Sequence, residues 1–273
     1  MIDKAIYTKD KTALLDNPGI PLAVLPTQEE TFRSMADDMV DTIRERNAAG
    51  KRTVFIVPVG PVGQYPYFVQ RVNEERISLK NVWFFNMDEY LDEHDRPIDF
   101  DSHLSFRGFM HREVYQKIRK ELVMDTKQRI FPDPDHPRLL TETLERLGGA
   151  DVCYGGLGIN GHVAFNEPDE ISVEEFKELK TRVADIAMDT QIANAIGSLN
   201  GALDAMPRRS VTIGFNEIYA SRKIRLYCFR DWHRAVVRHA AHGPISTRFP
   251  VTILQEHPDC RITMSSNVAE PCW

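Results

Sequence analysis

The feature that most constrains this chain is a set of short runs that are apolar at almost every position: TVFIVP (53–58), VWFFNM (82–87) and ADVCYGG (150–156). A strand with one wet face alternates apolar and polar side chains, so a run that is apolar on both parities has both faces covered. Each run ends in Gly, Pro or acidic residues, and segments of helical length lie between them. Thr27 opens a capping box with Glu30, and Phe32, Met35, Met39, Val40 and Ile43 follow at helical spacing until Gly50 stops the element. Helices are expected from about Pro66 to Ile77, Ser102 to Leu122 and Trp232 to His242. Strands are expected at VWFFNMDEY (82–90), RSVTIGF (209–215) and KIRLYCF (223–229), and the apolar segments RFPVTILQ (248–255) and RITMS (261–265) close the chain. Strands alternating with helices predict an α/β fold around a mostly parallel sheet, as a single domain over 1–273. An acidic stretch led by Pro168, running to about Lys180, has the composition of a mobile segment.

The balance of charges narrows the function. A formal net charge of −6 argues against nucleic acid as the partner, since phosphate-backbone binding needs clustered Lys and Arg. No run reaches the roughly 18 apolar residues of a membrane span, and the opening MIDKAIYTKD has no apolar core of a signal peptide. Cys153, Cys228, Cys260 and Cys272 show no C-x-x-C spacing and are expected as reduced thiols in a cytoplasmic protein.

In open parallel sheets, ligands bind beyond the carboxyl ends of the strands. The first such end carries Val59-Gly60-Pro61-Val62-Gly63, either an anion-binding turn or a plain tight turn. The second carries Asn86, Asp88, Glu89 and Tyr90. Acids leaving so apolar a strand are partly desolvated, which raises a carboxyl toward the range of a general base at neutral pH. By residue type alone, capping or pairing with Arg is the better account of them. The third end runs Gly155-Gly156-Leu157-Gly158-Ile159-Asn160-Gly161-His162. Its formal G-x-G-x-x-G match lies past mid-chain and meets Pro168 where a helix should follow, so it is not a dinucleotide site. The glycines instead suit a tight loop that projects the imidazole of His162, with Glu167 near enough to fix its tautomer. His103, His111, His162, His233 and His239 have no metal-ligand spacing, and no G-x-S-x-G elbow supports a serine nucleophile. No metal or cofactor is expected.

The strings FFNMDEY (84–90), GFMHREVY (108–115), GGLGINGHVAFNEP (155–168), DTQIAN (189–194), MPRRSVTIGFNEIYAS (206–221) and LQEHP (254–258), in that order, resemble the glucosamine-6-phosphate deaminase (isomerase) family, within the wider group that includes 6-phosphogluconolactonase. The resemblance runs from about Thr53 to Pro271. It implies a modified Rossmann-like three-layer α/β/α sandwich without a nucleotide cofactor. It also implies conversion of an amino sugar phosphate to a ketose phosphate plus ammonia. By the family's pattern Asp88 is the general base moving a proton between C2 and C1, His162 assists ring opening, and Glu167 partners His162. Asn160 stands where the family has an Asp, and can still accept a hydrogen bond from the imidazole. Gly60, Pro61, Val62, Glu89, Gly158, Gly161 and Arg234 fall at substrate-binding positions, Arg234 near the family's phosphate-binding Lys. The phosphate grip departs from the pattern. The family's P-T-G-G-T-P loop is here Pro58-Val59-Gly60-Pro61-Val62-Gly63, and its helical phosphate-binding Arg is Ile196. Charge-assisted hydrogen bonds are worth about 1.5–3 kcal/mol each, so losing several costs about a thousandfold in phosphate affinity. The expected partner is therefore a small sugar or sugar phosphate held by an altered pocket. Alternatives are an aldose–ketose isomerase without deamination, a non-catalytic sugar-binding regulator and, more weakly, a lactonase. Family members include monomers and hexamers, so homo-oligomerisation is left open.

Overall fold

The structure, a computed structural model, describes residues 3–273. Met1 and Ile2, the start of the segment from which the absence of a leader was read, lie outside the described residues. The strands are β1 (Leu22–Leu25), β2 (Thr53–Val57), β3 (Val82–Asn86), β4 (Asp88–Leu91), β5 (Arg129–Ile130), β6 (Val152–Gly155), β7 (Arg182–Asp185), β8 (Arg209–Thr212), β9 (Ile224–Cys228) and β10 (Cys260–Ser265). The α-helices are α1 (Lys11–Leu15), α2 (Gln28–Ala48), α3 (Gln64–Glu74), α4 (Phe106–Met110), α5 (Arg138–Arg146), α6 (Val173–Lys177), α7 (Met188–Leu199), α8 (Phe215–Tyr219), α9 (His233–His242) and α10 (Ser266–Ala269).

Seven strands form one parallel sheet in the order β1-β10-β9-β6-β2-β3-β5. Because side chains alternate along a strand, the doubly apolar runs feed two cores at once. Val54 and Ile56 of β2, Phe85 of β3 and Cys153 of β6 pack with α5, α8, α9 and the 3-10 turn Pro250–Glu256. Phe55 and Val57, Val82 and Phe84, and Val152 and Tyr154 pack instead with α2 and α3. The result is a three-layer α/β/α arrangement. Only half of the expected capping box forms at α2: the Thr27 side chain accepts from the Glu30 amide at 3.1 Å, while the Glu30 carboxylate accepts from the Thr27 hydroxyl at 3.0 Å instead of from its backbone N–H.

A second sheet, antiparallel in the order β4-β8-β7, departs from expectation. VWFFNMDEY is two strands rather than one. At Met87 the chain leaves the parallel sheet: its amide still donates to Val57, at 3.1 Å, while its carbonyl accepts from Ile213 of the β8 edge, at 2.7 Å. The long helix expected from Ser102 is only α4 followed by a π turn (His111–Tyr115) and turns. The apolar spacing that suggested a helix is nonetheless used, since Met110, Val114, Tyr115 and Ile118 all enter the α2/α3 core. The acidic stretch after Pro168 is anchored rather than loose. Ser172 and Glu175 form a capping box on α6, Phe176 is fully buried, and Thr247 and Glu256 bind the segment from outside. Strand β1 and helices α5 and α7 were not anticipated. No helix among the described residues is long and apolar enough to cross a membrane.

A sheet packed on both faces predicts equal sensitivity on both. Phe55→Ala and Ile56→Ala, neighbours that point to opposite layers, should each lower stability by about 2–5 kcal/mol in urea unfolding. A loss under 1 kcal/mol for either would mean that one face is not packed.

Candidate active site

The carboxyl ends of four adjacent strands, β9, β6, β2 and β3, open into one cleft of about 590 Å³. The loop after β2 contributes Val59, Gly60, Pro61 and Val62. The end of β3 contributes Met87 and Asp88, the loop after β6 contributes Gly158 and His162, and the turn after β9 contributes Phe229, Arg230 and His233. Helix α7 closes the side through Thr190, Ala193, Asn194, Gly197 and Ser198, the face repeating every three or four residues.

Among the described residues Asp88 is the only carboxylate lining this cleft. Its placement follows from register. β4 pairs Asp88 directly with Thr212 of β8, so the Thr212 hydroxyl donates to Asp88 Oδ1. The Phe165 amide reaches the same oxygen at 3.3 Å and Thr212 Oγ1 at 3.0 Å. Among the described residues Oδ2 has no partner. Burial pushes the carboxyl up to about 7, against the opposing pull of the Thr212 and Phe165 hydrogen bonds and of His162. Ala164, which lines the cleft just before Phe165, sits at φ +54, a backbone region costly for a residue with a Cβ.

Glu89, one residue on, must face the other way. It is fully buried outside the cleft, where it accepts from the Ser105 hydroxyl at 2.9 Å, the Phe106 and Arg107 amides at 3.1 and 3.0 Å, and Arg107 Nε at 3.0 Å. Its carboxylate caps α4, which corrects the expectation that it contacts substrate.

The Gly-rich loop projects His162 as expected. A Cβ on Gly158 would lie 2.0 Å from the His162 ring, and Gly161, at φ +82, would drive one to 2.5 Å from Phe249. Turns follow the loop, with no helix to receive a pyrophosphate. His162 Nδ1 faces Asn160 Oδ1 at 2.8 Å, Thr190 Oγ1 at 3.1 Å and Glu167 Oε2 at 3.2 Å. Asn160 in turn donates to Glu167 Oε2 at 2.7 Å and Asp189 at 3.1 Å. Glu167 Oε1 accepts the Ala187 amide at 3.3 Å, at the start of α7. Burial pushes Glu167 up, but the hydrogen bond and charge of His162, with Asn160 and Thr190, outweigh it and hold the carboxyl below its usual range. Asn160, Gly161 and Glu167 thus sit behind the imidazole rather than on the cleft wall.

Two further sequence expectations change. Arg234 does not line the cleft; its guanidinium reaches the Pro271 carbonyl at 3.3 Å and Asp231 at 3.5 Å. Arg230, in the turn before α9, lines it instead. Ile196 is 66% exposed and also lies off the cleft wall. His233 enters the wall with a fixed role: Nδ1 accepts the Phe229 and Arg230 amides at 3.1 and 2.9 Å, and Nε2 meets the Leu157 carbonyl at 3.1 Å. Burial holds this imidazole neutral, lowered to about 3, so it braces the turn and carries no charge at neutral pH. Thr190, Thr212, Arg230 and His233 were all missed in the sequence. Only Thr212, a polar interruption in an apolar strand, left a signal there. Among the described residues no three His, Cys, Asp or Glu side chains converge as a metal site.

A raised carboxyl beside a braced imidazole at the strand ends of an α/β sandwich defines an acid–base site for a small ligand. No family model matches the chain. A glucosamine-6-phosphate deaminase of Mycoplasma mycoides is 28% identical over 253 residues, covering 91% of this chain and 96% of that protein. One of Thermoanaerobacter pseudethanolicus is 26% identical, covering 87% and 91%. A glucosamine-6-phosphate deaminase-like protein of Bacteroides thetaiotaomicron is 28% identical over 93% of this chain, which spans only 38% of that longer protein. The solved structure of a monomeric glucosamine-6-phosphate deaminase superposes with a TM-score of 0.79 at 25% identity, covering 91% of this chain and 98% of that one. A 6-phosphogluconolactonase from Shewanella baltica shares the fold, with a TM-score of 0.64 at 15% identity. The chain is similar in sequence to the glucosamine-6-phosphate deaminases, shares its fold with the 6-phosphogluconolactonases, and is an enzyme of the isomerase/hydrolase type.

The buried Asp88 has a consequence for stability. Its folded-state pKa lies above the ordinary aspartate value, so between about pH 4 and 7 the folded protein binds more protons than the unfolded chain, and stability falls as pH rises through that window. Asp88→Asn should therefore be more stable than wild type at pH 8, by on the order of a few kcal/mol, with the gap closing toward pH 4. Parallel denaturation curves for the two proteins would contradict the desolvated carboxyl.

Proposed function

We propose that the chain is an amino-sugar deaminase/isomerase. It opens glucosamine 6-phosphate or a related amino sugar, moves a proton from C2 to C1, and releases ammonia from the resulting C2 imine with one water, leaving a ketose. The observation that carries this reading is Asp88: the only carboxylate on the cleft wall, raised to about 7, with one oxygen tied to Thr212 and Phe165 and the other free of protein partners among the described residues.

Asp88 takes the C2 proton, breaking the C–H bond and giving an enolamine, then returns it to C1. A base near neutrality does both, since it accepts the proton without binding it too tightly to give back. His162, its Nδ1 turned to Asn160, Glu167 and Thr190, presents Nε2 to the ring oxygen and anomeric hydroxyl for opening. Asn160 supplies the hydrogen bond without the charge of an Asp. The charge beside His162 comes from Glu167, which favours catalysis over a purely regulatory role. Gly60, Pro61, Val62 and Gly158 form the wall against the rest of the sugar. Val59, Pro61 and Val62 bring no hydroxyl or side-chain charge, so this wall grips the tail of the substrate differently from a hydroxyl-lined phosphate loop. The chain works as a single domain on a soluble sugar, in keeping with a cytoplasmic location.

Purified protein should release ammonia and ketose in equal amounts from an amino sugar or its 6-phosphate. Ketose without ammonia from an aldose would favour the isomerase alternative. Asp88→Asn should lower kcat by about 10²–10⁴, and full activity in that variant would remove the proton-shuttle assignment. Since Asp88 must be ionised to act, kcat/KM should rise with pH to a plateau, with an apparent pKa near the raised value of about 7. An acid limb near pH 4 would assign it to another group.

A further inference from the structure

We infer that Thr212 is a positioning residue for the reaction: its hydroxyl keeps Asp88 Oδ1 as a standing acceptor, so that Oδ2 alone takes the substrate proton and gives it back. This rests on Asp88 as the base of the amino-sugar reading. Thr212 is fully buried and does not line the cleft, so it acts only through Asp88.

The direction of the hydroxyl is fixed from three sides. Thr212 lies in β8, the central strand of the second sheet, paired with Asp88 of β4 on one side and Arg182 of β7 on the other. A β-branched side chain on a strand held at both edges has little freedom at χ1. Its Oγ1 accepts the Phe165 amide at 3.0 Å, which is brought there by left-handed Ala164, two residues after His162. The hydroxyl has one proton to donate and two acceptors in reach, the Ile213 carbonyl at 3.3 Å and the closer Asp88 Oδ1. The carboxylate is the stronger acceptor, so the proton points to Asp88.

Oδ1 therefore meets two donors, the Thr212 hydroxyl and the Phe165 amide at 3.3 Å, and a proton placed on it would face both. Oδ2 has no partner among the described residues, so the protonated form carries its proton there, on the oxygen left for the ligand. The step is a tautomerisation. Oδ2 bonds the C2 proton while the C2–H electron pair forms a C1–C2 double bond and the C1 carbonyl pair moves onto oxygen. The amine electron pair then forms the C2 imine as C1 takes the proton from Oδ2, and an amine N–H proton neutralises the oxygen. The same hydroxyl also acts on acidity: burial raises the carboxyl, and the Thr212 bond is the main pull against it. The other titratable groups nearby are His162 on the loop after β6, Glu89 and Tyr90 on β4 itself, and Arg182 on β7. Among the described residues none of them bonds the Asp88 carboxylate or the Thr212 hydroxyl, so removing that hydroxyl leaves them in place.

The test compares wild type, Thr212→Val and Thr212→Ser on glucosamine 6-phosphate and on glucosamine. Thr212→Val keeps the shape and loses the donor. It should move the acid limb of kcat/KM upward by about one pH unit and lower kcat by about tenfold, with KM little changed. Thr212→Ser, which keeps the hydroxyl, should restore both. The Asp88 midpoint in carbon-13 NMR should follow the same order, and it is read without turnover. Should Thr212→Val disturb the sheet, Thr212→Ala removes the same donor and should raise the midpoint alike. An acid limb and an Asp88 midpoint that Thr212→Val leaves at their wild-type values would overturn the inference. So would a Thr212→Ser protein that behaves like Thr212→Val, since the hydroxyl would then not be what matters. If wild type turned over no amino sugar, the deaminase reading would fail, and the Asp88 midpoints of the three proteins would still decide the role of Thr212.

Discussion

The site depends on one constraint: a carboxylate held where two sheets part, with too little water to ionise it at its ordinary pH. β3 ends inside the parallel sheet, Met87 still bonded to β2, and the next residue begins the antiparallel sheet. That change of partner puts Asp88 opposite Thr212 and under the Phe165 amide. Both hydrogen bonds favour the charged form, and burial outweighs them. The carboxyl is thus poised near neutrality by the same chain reversal that builds the second sheet. Glu89, on the other parity, turns its charge to α4 and Arg107, leaving Asp88 as the only acid facing the cleft among the described residues.

The rest of the cleft is arranged around that group with few charges. Glu167 and Asn160 stay behind His162, so the imidazole is oriented from the rear on the cleft wall. His233, a second imidazole on the wall, is kept neutral by burial and serves as a brace. Helix α7 links these parts along one face: Thr190 to the His162 network, Asn194 to the Tyr90 hydroxyl at 3.1 Å, Gly197 to Arg230. Small residues on that face let the helix lie close to the ligand space, and its apolar Met188, Ile192 and Ile196 point outward.

The layers were legible because burial on both faces leaves a mark on every residue of TVFIV and VWFF. The N-cap at Thr27 and the Gly-flanked His162 were legible because their chemistry is local. What stayed hidden is set by partners distant in sequence. Nothing in VWFFNMDEY marks Met87 as a break, since the break is made by Ile213 and Thr212, more than a hundred residues on. Asp88 and Glu89 are equivalent as residue types, and only the direction of the sheet decides which meets the cleft. Arg230 lies in the turn before α9 and Arg234 in the first turn of α9, and the choice between them rests on the His233 brace, which ties that turn to the Leu157 carbonyl. The segment 102–122 has the apolar spacing of a helix but meets its core through a π turn and loops.

The most direct measurement of the central claim is the titration of Asp88 itself, by carbon-13 NMR of aspartate-labelled protein, with Asp88→Asn used to assign the resonance. The account predicts a midpoint raised to about 7. A midpoint in the ordinary aspartate range, near ~4, would mean that the carboxylate is well solvated, and the chemistry derived from its burial would not hold.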